Sequence, residues 1–453
     1  MRPLSTPARF EPAGVLQRKQ TASGYYWGRT LLSQDSQPLD LVIIAALAFT
    51  LLLPSTNTFF AVRAIVALFA FVATLRRPVD SPGLSFVITF TLLVFINLLI
   101  GAMTVTLIEG ALVWSDVRHE LLRFSYYSLL ALSVMKLRSR FTVLLFLCKT
   151  LLLFHLTIQV TQLINADFIN PVIDAFFPSG GTHLELSTYD WPAFRSGSIY
   201  LNPNTYVMYP VLFLGVFLQA RRLSQRRGTL LWITLCMASV VLTGSRMGLI
   251  LSVLVLLGSW ARLENFPNVR PLHLMGVVGG ILGAALAVTL IDLQGGVRVF
   301  DVSGGMTSSI QFKFEILLDA FENTNPLYVL FGSLGSPTPA PQDMEMAHIL
   351  VSFGLMGAFW YLFLLRFLVK RNSETYAFIA AAAVMIMVFA GLAASIVLNL
   401  AVFPLFLIVL LVKWSQPETD QVDVQDGVHD GVQDRPEANH VYLRARATQG
   451  GRP

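Results

Sequence analysis

The stretch from Leu84 to Ile108 contains no charged residue. As a helix rising 1.5 Å per residue it exceeds the roughly 30 Å hydrocarbon core of a bilayer. Similar apolar runs recur along the chain, at about 39–54, 58–75, 84–108, 119–137, 141–164, 199–220, 229–243, 247–261, 272–291, 346–369, 376–393 and 395–412. The pattern predicts an all-α polytopic membrane protein of about twelve transmembrane helices over residues 39–412. Composition supports it. Hydrophobic residues make up 55% and charged residues 13%, against roughly 25% charged in a soluble domain. So little charge cannot clothe a water-facing surface, which excludes a soluble multidomain enzyme and a disordered or fibrous chain. The net charge of +5 is therefore a question of which loops carry the bases, not a sign of nucleic-acid binding.

Those bases alternate along the chain. With the N-terminus inside, the inner loops hold Arg76 and Arg77, then Lys136, Arg138 and Arg140, then Arg221, Arg222, Arg226 and Arg227. Arg262 and Arg270 follow, then Lys370 and Arg371. The outer loops hold few. By the positive-inside rule both termini are expected in the cytoplasm, with residues 1–38 a cytoplasmic tail. Residues 413–453 include a short Asp/Gly-rich repeat at 424–434 and are expected to be a disordered cytoplasmic tail. Cys148 and Cys236 both fall in apolar runs and read as core residues.

Two outer loops are long, about 165–198 and 292–345. In the second, Ile310, Phe314, Leu317, Leu318 and Phe321 form one helical stripe, a surface-lying helix or a lid. Charges inside or beside the spans are the exceptions to explain, since each costs about 2.5–3.5 kcal/mol at the bilayer centre. Arg63 and Arg123 lie about a turn inside the second and fourth spans, on their outer side. They read either as side chains snorkelling to the interface or as an inward basic cluster for an anion. Arg195 precedes an Asn202-Pro203-Asn204 helix start, and Arg246 lies in the Thr243-Gly244-Ser245-Arg246 turn. Asp343, Glu345 and His348 stand at the outer entrance of the tenth span, ahead of Phe353-Gly354-Leu355-Met356-Gly357.

Arginine suits phosphate, because its guanidinium forks bidentately and keeps its charge. Arg195, Arg246 and Arg298 are candidates to grip a diphosphate at the outer leaflet. A nearby carboxylate is a candidate base for a sugar hydroxyl attacking the carbon that bears the diphosphate. No Asp-x-Asp or His cluster points to a metal, so arginine would supply the positive charge. No cofactor is expected.

The order Arg195-x-Gly197, Asn202-Pro203-Asn204, Thr243-Gly244-Ser245-Arg246, then a long loop with Phe331-Gly332, Asp343 and Phe353-Gly354-Leu355-Met356-Gly357 resembles the O-antigen ligase and polymerase superfamily. The two long outer loops match that family's plan, and the resemblance covers roughly residues 39–412. It implies a GT-C-like glycosyltransferase fold with two long periplasmic loops in the bacterial inner membrane. Ligases of the family carry a His-Asn pair about eleven residues before the first Gly of the Gly-x-x-Gly. Here that place holds Asp343 and Met344, which favours the polymerase branch.

The resemblance gives Arg195 and Arg246 the diphosphate contact, Asp343 the role of base, and Glu345 the second choice. It implies undecaprenyl-diphosphate-linked oligosaccharide as substrate, for O-antigen, capsule or exopolysaccharide, with a chain-length regulator and a flippase as partners. Ligation to a lipid or protein acceptor is the runner-up. A twelve-span transporter is the rival from another class, and two unequal long loops disfavour its paired halves.

Overall fold

The computed structural model describes residues 38–53, 57–176, 196–200, 203–224, 228–260, 325–336, 345–371, 376–391 and 396–415. Thirteen helices and two short strands are found among them. The helices run α1 (Pro38–Leu51), α2 (Asn57–Ala73), α3 (Ser81–Glu109), α4 (Trp114–Val134), α5 (Phe141–Phe176), α6 (Pro203–Tyr206) and α7 (Met208–Ser224). They continue with α8 (Gly228–Leu242), α9 (Arg246–Trp260), α10 (Pro326–Phe331), α11 (Glu345–Arg371), α12 (Ala377–Ala390) and α13 (Val402–Leu411). Each apolar run read from the sequence falls on one of these except 272–291, which lies outside the described residues.

Burial sorts the helices. Met208–Ala220 of α7 and all of α13 are buried on every face. A helix apolar all round belongs in the middle of a bundle; α5, α6, α8, α9 and α12 pack against α7, and α1, α4 and α12 against α13. Cys148 and Cys236 are free and buried, as read. An aromatic seam joins α3, α4, α11 and α13. In it Phe86 stacks on Phe367 at 3.5 Å, Phe124 meets Trp360 at 5.3 Å and Tyr127 meets Phe403 at 4.8 Å.

The outer faces are apolar too. Along α3, Leu84, Ile88, Leu92, Ile96, Leu99, Met103 and Leu107 are all exposed. Their spacing of three to four residues makes one continuous stripe down the helix. Val62, Ile65, Phe69 and Val72 do the same on α2. Water would penalise such patches, whereas lipid tails would not. Among the described residues three helices are long and apolar enough to cross a membrane: α3, α5, and α11 from His348. This is the architecture of a helical membrane protein.

The bundle has two chemically distinct ends. At one, Arg77 pairs with Asp40, Asp40 also accepts the Arg138 backbone N–H at 3.1 Å, and Arg371 pairs with Asp80 at 2.8 Å. Here β1 (Arg138–Arg140) and β2 (Lys413–Ser415) pair in parallel. Thus the first residues after α13, expected to open a disordered tail, are tied to the connection between α4 and α5. Residues 416–453 lie outside the described ones. The opposite end, called the far end below, carries the features of the candidate site.

Some helices depart from the expected runs. α5 continues to Phe176, past the 165 boundary expected for a loop, with a break at Asn165 (φ −153°, ψ 79°). The Asn165 side chain accepts the Phe168 N–H at 3.2 Å, so it caps a new helical start. Residues 396–401 were expected inside the last span, but α13 begins only at Val402. Asn399 caps it, accepting from Ala401 and Val402 at 2.8 and 3.1 Å.

Candidate functional site

The chain after Arg195 meets the turn before Arg246 through one backbone and one side-chain hydrogen bond. Ser196, the residue after Arg195, donates its N–H to the Leu242 carbonyl at 3.1 Å. Asn204 accepts the Ser245 hydroxyl at 2.8 Å. Ser245 in turn accepts the Gly248 N–H at 3.2 Å, which makes it the N-cap of α9 and Arg246 that helix's first residue. Pro203 opens α6, where its missing N–H costs nothing. Pro203-Asn204 and the Thr-Gly-Ser-Arg segment are thus one stitched unit at a helix N-terminus, a place whose free N–H groups favour anions; Asn202 lies outside the described residues.

A polar network underlies this unit. Gln162 donates to Asn170 Oδ1 at 3.0 Å and to the Ser198 carbonyl at 3.2 Å, and accepts from the Ser196 hydroxyl. Gln159 donates to the Ser239 carbonyl at 3.1 Å and accepts the Ser239 hydroxyl at 2.6 Å. Tyr206 shares a hydrogen bond with that hydroxyl at 2.8 Å. His155 Nδ1 lies 2.9 Å from the Ser198 hydroxyl. Ser198 itself adopts φ 56°, rare for a side-chain-bearing residue. Tyr200 reaches the Leu51 carbonyl at 2.6 Å and Tyr209 at 2.8 Å, and Tyr209 reaches the Ala401 carbonyl at 2.7 Å.

The second feature is a broken helix. Within α11, Gly354 has φ 65° and ψ −162°, and Gly332 after α10 has φ 86° and ψ 170°. Only glycine sits there without strain. The two glycines face each other's segments. A Cβ on Gly354 would lie 2.5 Å from the Leu330 carbonyl carbon, and one on Gly332 2.0 Å from the Ser352 oxygen. Ser333 and Leu334 donate to the Val351 and Ser352 carbonyls at 2.8 and 3.2 Å. Asn97 of α3 completes the joint. Its amide donates to the Phe331 carbonyl at 3.0 Å and the Phe353 carbonyl at 3.1 Å, and its own carbonyl accepts from Trp360 at 3.3 Å. The two Phe-Gly pairs of the sequence are therefore one device, a helix interruption clamped by a neighbour's amide.

Glu345 begins α11 and is fully buried. Its Oε2 accepts the backbone N–H groups of Ile396, Val397 and Leu398, the second at 2.5 Å and the third at 3.4 Å. This carboxylate therefore holds the non-helical turn ahead of α13, which is why that helix starts late. His348 lies a turn further on, with Nε2 3.3 Å from the Ser352 hydroxyl.

Arg63 is 1% exposed, so it does not snorkel. Its guanidinium donates to the Thr50 carbonyl at 3.2 Å and to the Leu53 carbonyl. It caps the end of α1, where a cation complements the helix dipole. Arg123 pairs with Glu120 at 2.6 Å, and both are largely buried. Lys149 sits 5.1 Å over the Trp232 ring. Arg195, Arg298 and Asp343, and the stripe at 310–321, lie outside the described residues. Arg246 is placed by its backbone alone. Among the described residues no group of three His, Cys, Asp or Glu is placed to hold a metal.

Sequence reasoning missed Glu120, Tyr127 and Asn97. Each had a signal. Glu120 stands three residues before Arg123, the spacing of a helical ion pair. Asn97 is a lone amide in the charge-free run, and a polar group there needs partners. No family model matches the chain, and no curated protein is significantly similar to it in sequence.

Proposed function

We propose that this chain is a membrane glycosyltransferase that polymerises undecaprenyl-diphosphate-linked repeat units at the outer face of a bacterial inner membrane. In this reading about twelve helices span the bilayer, the basic end faces the cytoplasm and the far end faces the periplasm. The observation that supports the proposal is that Ser196 and Asn204, which follow Arg195 in the chain, are bonded to Leu242 and Ser245 at the N-terminus of α9, where Arg246 stands. Two arginines and free helix N–H groups suit a diphosphate, which carries more charge than one guanidinium neutralises.

The reaction is a substitution at the anomeric carbon of the growing glycan. A hydroxyl oxygen at the nonreducing end of the incoming lipid-linked repeat forms the new bond. The anomeric C–O bond to undecaprenyl diphosphate breaks, and the diphosphate leaves with the electron pair. The hydroxyl proton passes to a carboxylate, for which Asp343 is the first candidate. The arginines stabilise charge that grows on the leaving oxygen. Glu345 is the weaker candidate for base, because its Oε2 is committed to three backbone N–H groups and only Oε1 is left to take a proton. Binding of lipid-linked donor from the membrane, and partnership with a chain-length regulator and a flippase, belong to the same proposal.

Purified protein given a synthetic lipid-linked repeat tests it. A ladder of products spaced by one repeat supports polymerisation. Single transfer to an added lipid acceptor, with no ladder, would replace it by ligation.

A further inference from the structure

One face of α4 is not explained by packing. Glu120, Arg123, Phe124 and Tyr127 lie three, four and seven residues apart, on a single helical face. That face turns inward: Phe124 meets Phe353 and Trp360 of α11, and Tyr127 meets Phe403 of α13. Glu120 and Tyr127 are 5% and 2% exposed. Arg123 Nη1 bonds to Glu120 Oε1 at 2.6 Å. Three of their other polar atoms are unspent. Glu120 Oε2, Arg123 Nε and the Tyr127 hydroxyl have no hydrogen-bond partner among the described residues. Arg123 stands one helical turn from both Glu120 and Tyr127, so the three groups share one stretch of that face. A low-dielectric interior makes each orphan costly, and three together at the far end of one helix are a site waiting for partners.

The mixture of groups selects the partner. A bare anion would suit Arg123 but be repelled by Glu120. A cation would suit Glu120 but be repelled by Arg123. An apolar ligand would satisfy neither. A ring of vicinal hydroxyls satisfies all three, since each hydroxyl both donates and accepts. Aromatic rings neighbour these groups in the fold: Phe124 packs edge-on against Phe353, and Tyr126 lies beside Tyr127.

We infer that Glu120, Arg123 and Tyr127 form a binding site for a sugar ring, a pyranose presented from within or beside the membrane. Glu120 Oε2 accepts one hydroxyl, Arg123 Nε donates to another and the Tyr127 phenol bonds to a third. The inference rests on the proposed glycosyl transfer for the source of that sugar, but the site's chemistry stands on its own residues.

Photolabelling tests it. Full-length protein in lipid nanodiscs is irradiated with an octyl glucoside bearing a diazirine on the sugar, and label is mapped by mass spectrometry. Label is expected on residues 114–134 and is expected to be competed by octyl glucoside or octyl galactoside, not by tetraethylene glycol monooctyl ether, which shares only the tail. Tyr127→Phe is expected to lower that label about fivefold, the worth of one hydrogen bond. The double variant Glu120→Gln/Arg123→Gln is expected to lower it further. Equal competition by the ether, label confined to other helices, or unchanged labelling of both variants would each overturn the site. Polymer made normally without sugar labelling would sink this inference and leave the proposed reaction standing. Labelling with no polymer from any lipid-linked repeat would do the reverse.

Discussion

Two buried polar clusters lie toward the far end of the bundle, and they differ in how fully they are satisfied. Around Gln159 and Gln162, side chains from α5, the 196–200 segment, α6 and α8 exchange hydrogen bonds with one another and with backbone carbonyls, and His155 Nε2 alone among the groups named there has no partner among the described residues. Around Glu120, the one ion pair is made, and three further polar atoms have no partner among the described residues. A satisfied network rigidifies a scaffold, whereas an unsatisfied one stores free energy that a ligand can release. The first cluster positions the 196–200 segment and the end of α8 that leads into the Ser245 turn. The second is the better place for something to bind.

Substitutions can break this contrast. The largest effect is expected at neither cluster but at the broken helix beside the second. Gly354→Ala adds a Cβ 2.5 Å from the Leu330 carbonyl carbon, in a backbone region that other residues avoid. Strain of about 1–3 kcal/mol and the added clash act together, so folded protein recovered from membranes is expected to fall severely. Normal yield would mean that the helix is not interrupted there.

Gln162→Leu comes next. It removes partners from Asn170, Ser196 and the Ser198 carbonyl at once, each loss costing about 1–3 kcal/mol. Thermal unfolding in detergent should shift down by many degrees. An unchanged midpoint would show the network to be dispensable.

The matched pair Tyr206→Phe and Tyr127→Phe sharpens the comparison most. Both delete one buried phenol oxygen. Tyr206 loses its 2.8 Å bond to Ser239, so that variant should be destabilised by about 1 kcal/mol. Tyr127 loses no bond among the described residues, so its variant should unfold at or slightly above the parent's temperature while its sugar labelling falls about fivefold. Equal destabilisation of the two would erase the distinction between scaffold and site.

Charge in the second cluster makes the same point. Glu120→Gln alone strands the Arg123 guanidinium and should cost about 3–5 kcal/mol. Replacing both residues by neutral ones should restore most of that stability. Failure of the double variant to recover would show that Glu120 supports more than its partner.

Much of the architecture is legible in the sequence because it is local. Apolar run lengths mark the helices, and the alternation of basic loops marks one end of the bundle. The Asn-Pro-Asn and Thr-Gly-Ser-Arg motifs are legible as helix starts for the same reason. What is not legible depends on residues far apart in the chain. Asn97 clamps the Phe331 and Phe353 carbonyls from 234 and 256 residues away. Nothing local in the two Phe-Gly pairs says that they touch. Glu345 looked like a free acid at a helix entrance, yet its partners are 51 to 53 residues downstream. Arg63 looked able to snorkel because its depth was readable and its direction was not. Direction is set by α1, whose terminal carbonyls need a cation.

The central claim is that arginines at the far end hold a lipid-linked diphosphate during glycosyl transfer. Its most direct test is turnover of a radiolabelled lipid-linked repeat by the purified parent and by Arg246→Ala, at matched protein levels in the same lipids. The account predicts a ladder of lengthening products from the parent and none from Arg246→Ala. A full ladder from Arg246→Ala would contradict it.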